Sequence, residues 1–207
     1  MKGMIKVFQL QVGGLDHNFS YLAFDENSRD AVIVDPCGDV SVIRKAFEAN
    51  KPLTPRYILI THGHHDHVSG LREVQSFFDA PVVAHPACSV RHSINLADRQ
   101  TLPFGGIYIE ALFSPGHSPD SVLYRMSDDS ALFTGDTLFI DCCGYCSPRA
   151  MFETMRNVIF PLAGSSIVYS GHDYGEVPFR SLGEEKRLNP YLAIKDFDRF
   201  REELRKL

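Results

Sequence analysis

Apolar and polar positions along this chain recur with two periods, and the switches between them mark out its elements. Phe8, Leu10 and Val12 alternate with Gln9 and Gln11, the period of a half-buried strand, and Gly13-Gly14 turns the chain behind it. Phe19 to Phe24 predicts a second strand, and Asp25-Glu26-Asn27-Ser28 a polar turn. Ala31-Val32-Ile33-Val34 is a continuous apolar run, as a strand covered on both faces requires, and it ends at Asp35-Pro36. Asp39 is placed to cap a helix that carries Val42, Ile43, Ala46 and Phe47 on one face and stops at Asn50 and Pro52. Tyr57–Ile60 predicts a strand, the segment from Val68 a helix with Leu71, Val74 and Phe78 on one side, and Pro81–Ala84 another strand. Residues 87–100 read as a short helix and a loop.

From Gly106 onward the pattern turns mostly to strands. Ile107–Phe113 is one, Val122, Tyr124 and Met126 alternate in a second, and Ala131–Phe133 follows the turn Asp128-Asp129-Ser130 as a third. Ser147-Pro148 opens a helix, serine as cap and proline in the first turn, with Met151, Met155, Val158 and Ile159 as its apolar stripe. Ile167-Val168-Tyr169 is a last strand, and Phe197, Phe200 and Leu204 line one face of a closing helix. Strands then helix, twice, with no repeat or low-complexity linker, predicts two mixed sheets packed face to face with helices outside, in one α/β domain over residues 1–207.

Composition changes this picture little. With 44% hydrophobic and 23% charged residues the chain is an ordinary globular sequence. A net charge of −5 argues against a nucleic-acid surface, and no apolar run approaches a membrane span. Met1-Lys2-Gly3-Met4-Ile5-Lys6 has no apolar core behind it and does not read as a signal peptide. Five cysteines, an odd number, predict free thiols and a reducing cytoplasm. A monomer and a homodimer are both compatible with the sequence.

Candidate chemistry concentrates in Thr61-His62-Gly63-His64-His65-Asp66-His67. Imidazole and carboxylate are the ligands of zinc and other borderline divalent metals. In extended chain His62 and His64 share a side, and the turn into the next helix brings Asp66 and His67 round beside them. The same grammar recurs downstream. His117 follows Phe113-Ser114-Pro115-Gly116, Asp136 follows Phe133-Thr134-Gly135, and His172 follows Tyr169-Ser170-Gly171. Each time an apolar strand ends and a metal-type ligand stands just beyond it, with a glycine that allows a sharp turn and close approach. Four strands delivering ligands to one sheet edge predict two metal sites: His62, His64 and His117 at one, Asp66, His67 and His172 at the other, with Asp136 between them. Two such metals would lie ~3.5–4 Å apart and acidify a water between them to a pKa near ~7. His65 faces away, His85 reads as a loop histidine beside proline, and Asp35 as a residue that orients a ligand or the loop.

These residues resemble the five-part signature of the metallo-β-lactamase superfamily: T-H-x-H-x-D-H, then Gly-His117, Gly-Asp136 and Gly-His172, with Asp35 at the family's first motif. The resemblance runs from about Asn18 to Tyr191 and implies an αββα sandwich with metals at one edge. Within the superfamily, Phe133–Phe139, Gly171-His172-Asp173-Tyr174 and Gly183–Pro190 are similar to glyoxalase II, the hydroxyacylglutathione hydrolases, and to the related persulfide dioxygenases. Only a short segment follows His172, where many glyoxalase II enzymes have a helical domain that helps hold glutathione. Tyr145 stands after Cys143-Gly144, where that family often has a basic residue.

The resemblance implies a metal-dependent hydrolase of thioesters, S-acylglutathione or a related small molecule. Two divalent metals, zinc first and iron or manganese as alternatives, would serve it, with Asp66 both binding metal and orienting the nucleophile. The alternatives are a persulfide dioxygenase with one iron on His62, His117 and Asp136, and hydrolysis of another ester or a lactone. Tyr145, Arg149 and Tyr174 are candidates to touch substrate because their loops follow ligands. A redox role for the C-x-x-C pair Cys143 and Cys146 competes with three plain loop thiols, and the latter is expected, since nothing βαβ-like surrounds them.

Overall fold

The computed structural model describes residues 4–207, so the first three residues of the N-terminal segment read above lie outside the described part. The described residues form two six-stranded sheets. In the first, β1 (Ile5–Gly13), β2 (Asn18–Asp25), β3 (Asp30–Val34), β4 (Thr54–Leu59), β5 (Val82–Ala84) and β6 (Ile94–Asn95) lie in chain order. Its first three strands are antiparallel and the rest parallel. The second reads β12 (Arg180–Ser181), β11 (Ile167–Ser170), β10 (Ala131–Gly135), β9 (Val122–Met126), β8 (Ile107–Phe113) and β7 (Thr101–Phe104). Only β10 and β11 run parallel there.

Alternation along each strand sorts side chains between layers. Val32 and Val34 of β3, with Tyr57 and Leu59 of β4, point into the space between the sheets, where Ile109, Ala111, Tyr124 and Phe133 meet them. Their neighbours Ala31, Ile33, Ile58 and Ile60 point outward, under α1 (Val40–Ala49) and α3 (Leu71–Val74). Leu112, Leu123, Leu132 and Val168 of the second sheet point to its outer face, under α4 (Pro148–Glu153), α5 (Leu182–Leu188), α6 (Pro190–Ala193) and α7 (Phe197–Glu203). The result is the expected αββα sandwich. Each large side chain so buried contributes roughly 1.5–3 kcal/mol.

Several expected elements differ. The helix beyond the histidines begins inside the cluster, as α2 (His65–Val68), and breaks at Gly70 before α3. Gly70 packs so closely on α1 that a Cβ there would lie 2.5 Å from Val40 Cγ2. Residues 87–100 hold no helix; they form turns and the short β6, whose pairing partner β5 is not visible in a local pattern. Strand β7 was not expected because Pro103 interrupts its pattern; it is an edge strand, where a missing N–H is tolerated. Ser147 precedes α4 without a side-chain capping bond. Beyond α4 the coil widens over Thr154–Ile159, the Phe160 N–H donating to Met155 O at 3.0 Å. Among the described residues no helix is long and apolar enough to cross a membrane.

Candidate metal centre

The strands β4, β10 and β11, and the loop beyond β8, end at one edge of the sandwich, and the ligand-type residues stand just past them. They form two groups: His62, His64 and His117, and Asp66, His67, Asp136 and His172, with the ligand atoms of each group within 4.8 Å of one another. His64, in extended backbone before α2, turns Nδ1 toward His62 Nε2 (3.0 Å) and His117 Nε2 (2.9 Å). The turn of α2 carries Asp66 and His67 to the neighbouring point. His67 Nε2 is 3.3 Å from His172 Nε2, and Asp66 Oδ2 is 3.6 and 3.4 Å from those two nitrogens.

Asp136 faces both groups. Its Oδ2 is 3.2 Å from His172 Nε2, 3.6 Å from His117 Nε2 and 4.0 Å from His62 Nε2, while Oδ1 is 3.1 Å from His67 Nε2. Close glycines make room. A Cβ on Gly171 would lie 2.3 Å from Asp136 Oδ1, and one on Gly135, at φ +49°, 2.5 Å from Thr61 Oγ1.

The tautomers follow from what each ring does with its other nitrogen. His67 Nδ1 donates to Asp35 Oδ2 (3.0 Å), His172 Nδ1 to Asp16 O (2.6 Å), and His117 Nδ1 to Tyr145 O (2.9 Å). Thr61 Oγ1 donates to Asp35 Oδ2 (2.6 Å), which leaves it to accept from His62 Nδ1 at 3.2 Å. Every one of these rings therefore turns Nε2 inward, as a bare lone pair whenever the ring is neutral. Lone pairs about 3 Å apart repel unless a cation lies among them, and Asp136 Oδ1 is buried without a hydrogen-bond donor. A divalent metal in each group satisfies both conditions, and the nitrogen and oxygen donors suit zinc, iron or manganese.

The electrostatics agree. Burial opposes protonation of His67, yet the Asp136 and Asp35 carboxylates outweigh it and raise its pKa well above the ordinary value. Burial also opposes ionisation of Asp136, but His67 and His172 hold its carboxyl well below the usual range. In the first group burial, and then the neighbouring His67, drive His62 down to about 2, and burial lowers His117. A site that draws protons into one half and keeps the other half's imidazoles neutral is shaped for added positive charge.

The remaining expected residues fall in different places. Asp35, buried at φ +47°, orients His67 and Thr61 and stands behind the ligand groups. His65 is exposed, and His85 stacks on Phe113 at 4.4 Å. Tyr174 stacks on His172 with ring centroids 5.0 Å apart and donates its hydroxyl to Asp16. Tyr145 reaches the site through its carbonyl, its side chain 88% exposed. Arg149 is not brought to the site: its guanidinium lies 3.4 Å from the centroid of Phe197, so it packs the closing helix. Three contributors were not anticipated. Asn18 Nδ2 donates to Asp66 Oδ2 at 3.2 Å, the Asp16 backbone carbonyl accepts from His172 Nδ1 at 2.6 Å, and Asp120 accepts from Gly63 N–H at 2.9 Å. Asn18 and Asp120 are buried polar side chains, but neither follows directly on the C-terminal end of an apolar strand as the ligands do, so that pattern does not mark them.

The chain is similar to known proteins over most of its length. The chain is 31% identical over 195 residues to the probable polyketide biosynthesis zinc-dependent hydrolase BaeB of Bacillus velezensis, covering 88% of this chain and 85% of that one. It is 33% identical to the probable hydroxyacylglutathione hydrolase glo2 of Schizosaccharomyces pombe (87% and 84% covered) and 30% identical to the human mitochondrial persulfide dioxygenase ETHE1 (85% and 72%). Among solved structures, ETHE1 from Myxococcus xanthus superposes with a TM-score of 0.85 at 27% identity, covering 97% of this chain and 90% of that one. Residues 13–177 match the family model described as the Metallo-beta-lactamase superfamily, and the chain belongs to that superfamily.

Proposed function

We propose that this protein is a thioester hydrolase working with two divalent cations, one held by His62, His64 and His117, the other by Asp66, His67 and His172, with Asp136 shared. The carrying observation is that all seven side chains converge at one edge in two adjoining groups, and that the one carboxylate facing both groups lacks a donor on a buried oxygen. Zinc is the leading metal. Bound there, divalent cations supply Lewis acidity for a carbonyl oxygen and a water acidic enough to attack near neutral pH.

The chain's own residues do the positioning. Asp35, Thr61, Asp16 and the Tyr145 carbonyl lock four imidazoles in one tautomer. Asp66 is tethered through Oδ2 to Asn18, which leaves Oδ1 to hold a proton of the attacking water. A groove of about 470 Å³ beside His117, lined by Pro115, Pro119, Tyr145 and Ala150, offers an apolar wall for an acyl or thiol arm. Arg180 is engaged by Asp141 and by Glu185 at 3.1 Å, and Arg149 by Phe197. Neither is available for glutathione carboxylates, so the reading takes in thioesters of other thiols.

The likeness to ETHE1 of Myxococcus xanthus favours a second reading, a persulfide dioxygenase holding one iron on His62, His117 and Asp136. One experiment separates the two. Protein purified without added metal is analysed for its elements, then assayed with S-lactoylglutathione, with an S-acyl-N-acetylcysteamine, and for oxygen uptake on glutathione persulfide. About two metals per chain and hydrolysis of either thioester is the expected result. One iron with oxygen uptake and no hydrolysis overturns it.

A further inference from the structure

The loop between β10 and α4 carries Cys142, Cys143 and Cys146, and the two residues inside the C-x-x-C pair are the ones that grip the metal centre. Gly144 N–H donates to the Asp136 carbonyl at 3.2 Å; a Cβ there would lie 2.2 Å from that oxygen and 3.0 Å from His117 Nδ1. Tyr145 O accepts the Nδ1 proton of His117 at 2.9 Å. The thiols thus bracket the segment that fixes one ligand of the first group and the carboxylate facing both.

The pair differs from the other thiols. Cys143 is buried, while Cys146 is partly exposed and borders the groove beside His117. Cys143 and Cys146 pack in the same cluster, and their mutual influence raises Cys143 and holds Cys146 below an ordinary thiol. Burial raises the Cys37, Cys88 and Cys142 thiols as well, to about 12, 11 and 11, in contrast to Cys146. Residues 142–146 have no helical or strand structure, so no regular ladder resists their rearrangement.

We propose that Cys143 and Cys146 form a disulfide on exposure to a hydroperoxide, and that closing it withdraws the Tyr145 carbonyl from His117 and loosens the metal held by His62, His64 and His117. The Cys146 sulfur attacks a peroxide oxygen, the O–O bond breaks, and the departing oxygen leaves as water or alcohol, giving a sulfenic acid. Cys143 then attacks that sulfur; the S–S bond forms, the S–O bond breaks, and hydroxide leaves as water with the Cys143 proton. Two thiols lose two electrons and the peroxide gains them. A dithiol reductant reverses the reaction by exchange. The two sulfurs must close to about 2.05 Å, which tightens the four-residue loop and turns its two inner peptide groups. Losing the partner of a ligating histidine typically lowers metal affinity or activity on the order of 10–100-fold.

The inference rests on His117 as a metal ligand and not on the substrate. The metal-loaded full chain is treated with hydrogen peroxide, alkylated and mapped by mass spectrometry, and its metal release to a chelating dye is followed alongside. A 143–146 peptide two hydrogens lighter, metal release at least tenfold faster, and recovery with dithiothreitol are expected. Cys143→Ser and Cys146→Ser, each compared with itself before and after peroxide, lose the response. The proposal falls if no 143–146 disulfide forms, if it forms without changing metal release, or if both variants still respond. A protein that closes the disulfide and sheds metal but hydrolyses no thioester keeps this inference and refutes the thioesterase.

Discussion

Asp35 Oδ2 accepts the Nδ1 proton of His67 at 3.0 Å, and the same oxygen accepts the Thr61 hydroxyl at 2.6 Å. One buried carboxylate thereby orients a ligand in each group, His67 directly and His62 through Thr61. Asp35→Asn keeps the shape and tolerates φ +47°, since asparagine enters the left-handed region readily. It removes the charge that secures both tautomers. Metal affinity is expected to fall about 10–100-fold, read by competition with a chelating dye, while the far-UV spectrum stays unchanged.

Gly171 is pinned on both sides, its N–H donating to Gly135 O at 2.9 Å and its carbonyl accepting from Phe19 N–H at 2.8 Å. The backbone has no freedom to retreat from the 2.3 Å approach of a new Cβ to Asp136 Oδ1. Gly171→Ala is expected to cost about 1–3 kcal/mol in urea unfolding of the metal-free protein. It should also reduce bound metal, measured by elemental analysis.

His62 is kept neutral by burial, with a folded pKa of about 2, whereas the unfolded chain takes up that proton near pH ~6.5. Between those values the unfolded state binds the extra proton, so acid weakens the metal-free fold. His67 and His172, raised above the ordinary value, act oppositely: their contribution is complete below pH ~6.5 and fades as pH rises through their folded values. The His62 term is isolated by difference. The urea midpoint of metal-free His62→Gln should fall less between pH 7 and pH 5 than that of the parent chain.

Tyr145 offers its carbonyl to His117 and its ring to solvent. Tyr145→Ala keeps the carbonyl. Bound metal and kcat are therefore expected to hold within about twofold, while KM for a bulky thioester rises severalfold as the groove loses an aromatic wall. Steady-state kinetics on two thioesters of different size checks this.

Much of the architecture is written locally. Ala31–Val34 and Tyr57–Ile60 announce strands covered on both faces, and their alternation sorts them between the inter-sheet core and the helix layer. The ligand-type residues are legible for a related reason: each strand end carries its small residue and its imidazole or carboxylate within a few positions, so the pattern needs no knowledge of the partner strand. Proximity across the chain is not local. Asn18 meets Asp66, and Asp16 meets His172, only because the turn between β1 and β2 lies against the end of β11. Arg149 follows a ligand loop in sequence, yet cation–π attraction draws it to Phe197 on the closing helix. Strand β7 hides behind a proline that an edge position tolerates. What the amino-acid order determined by itself was which side chains stand at strand ends; which atom of each faces its neighbours, and which carbonyl or carboxylate holds it there, was decided when two sheets packed and brought distant backbone groups within hydrogen-bonding reach.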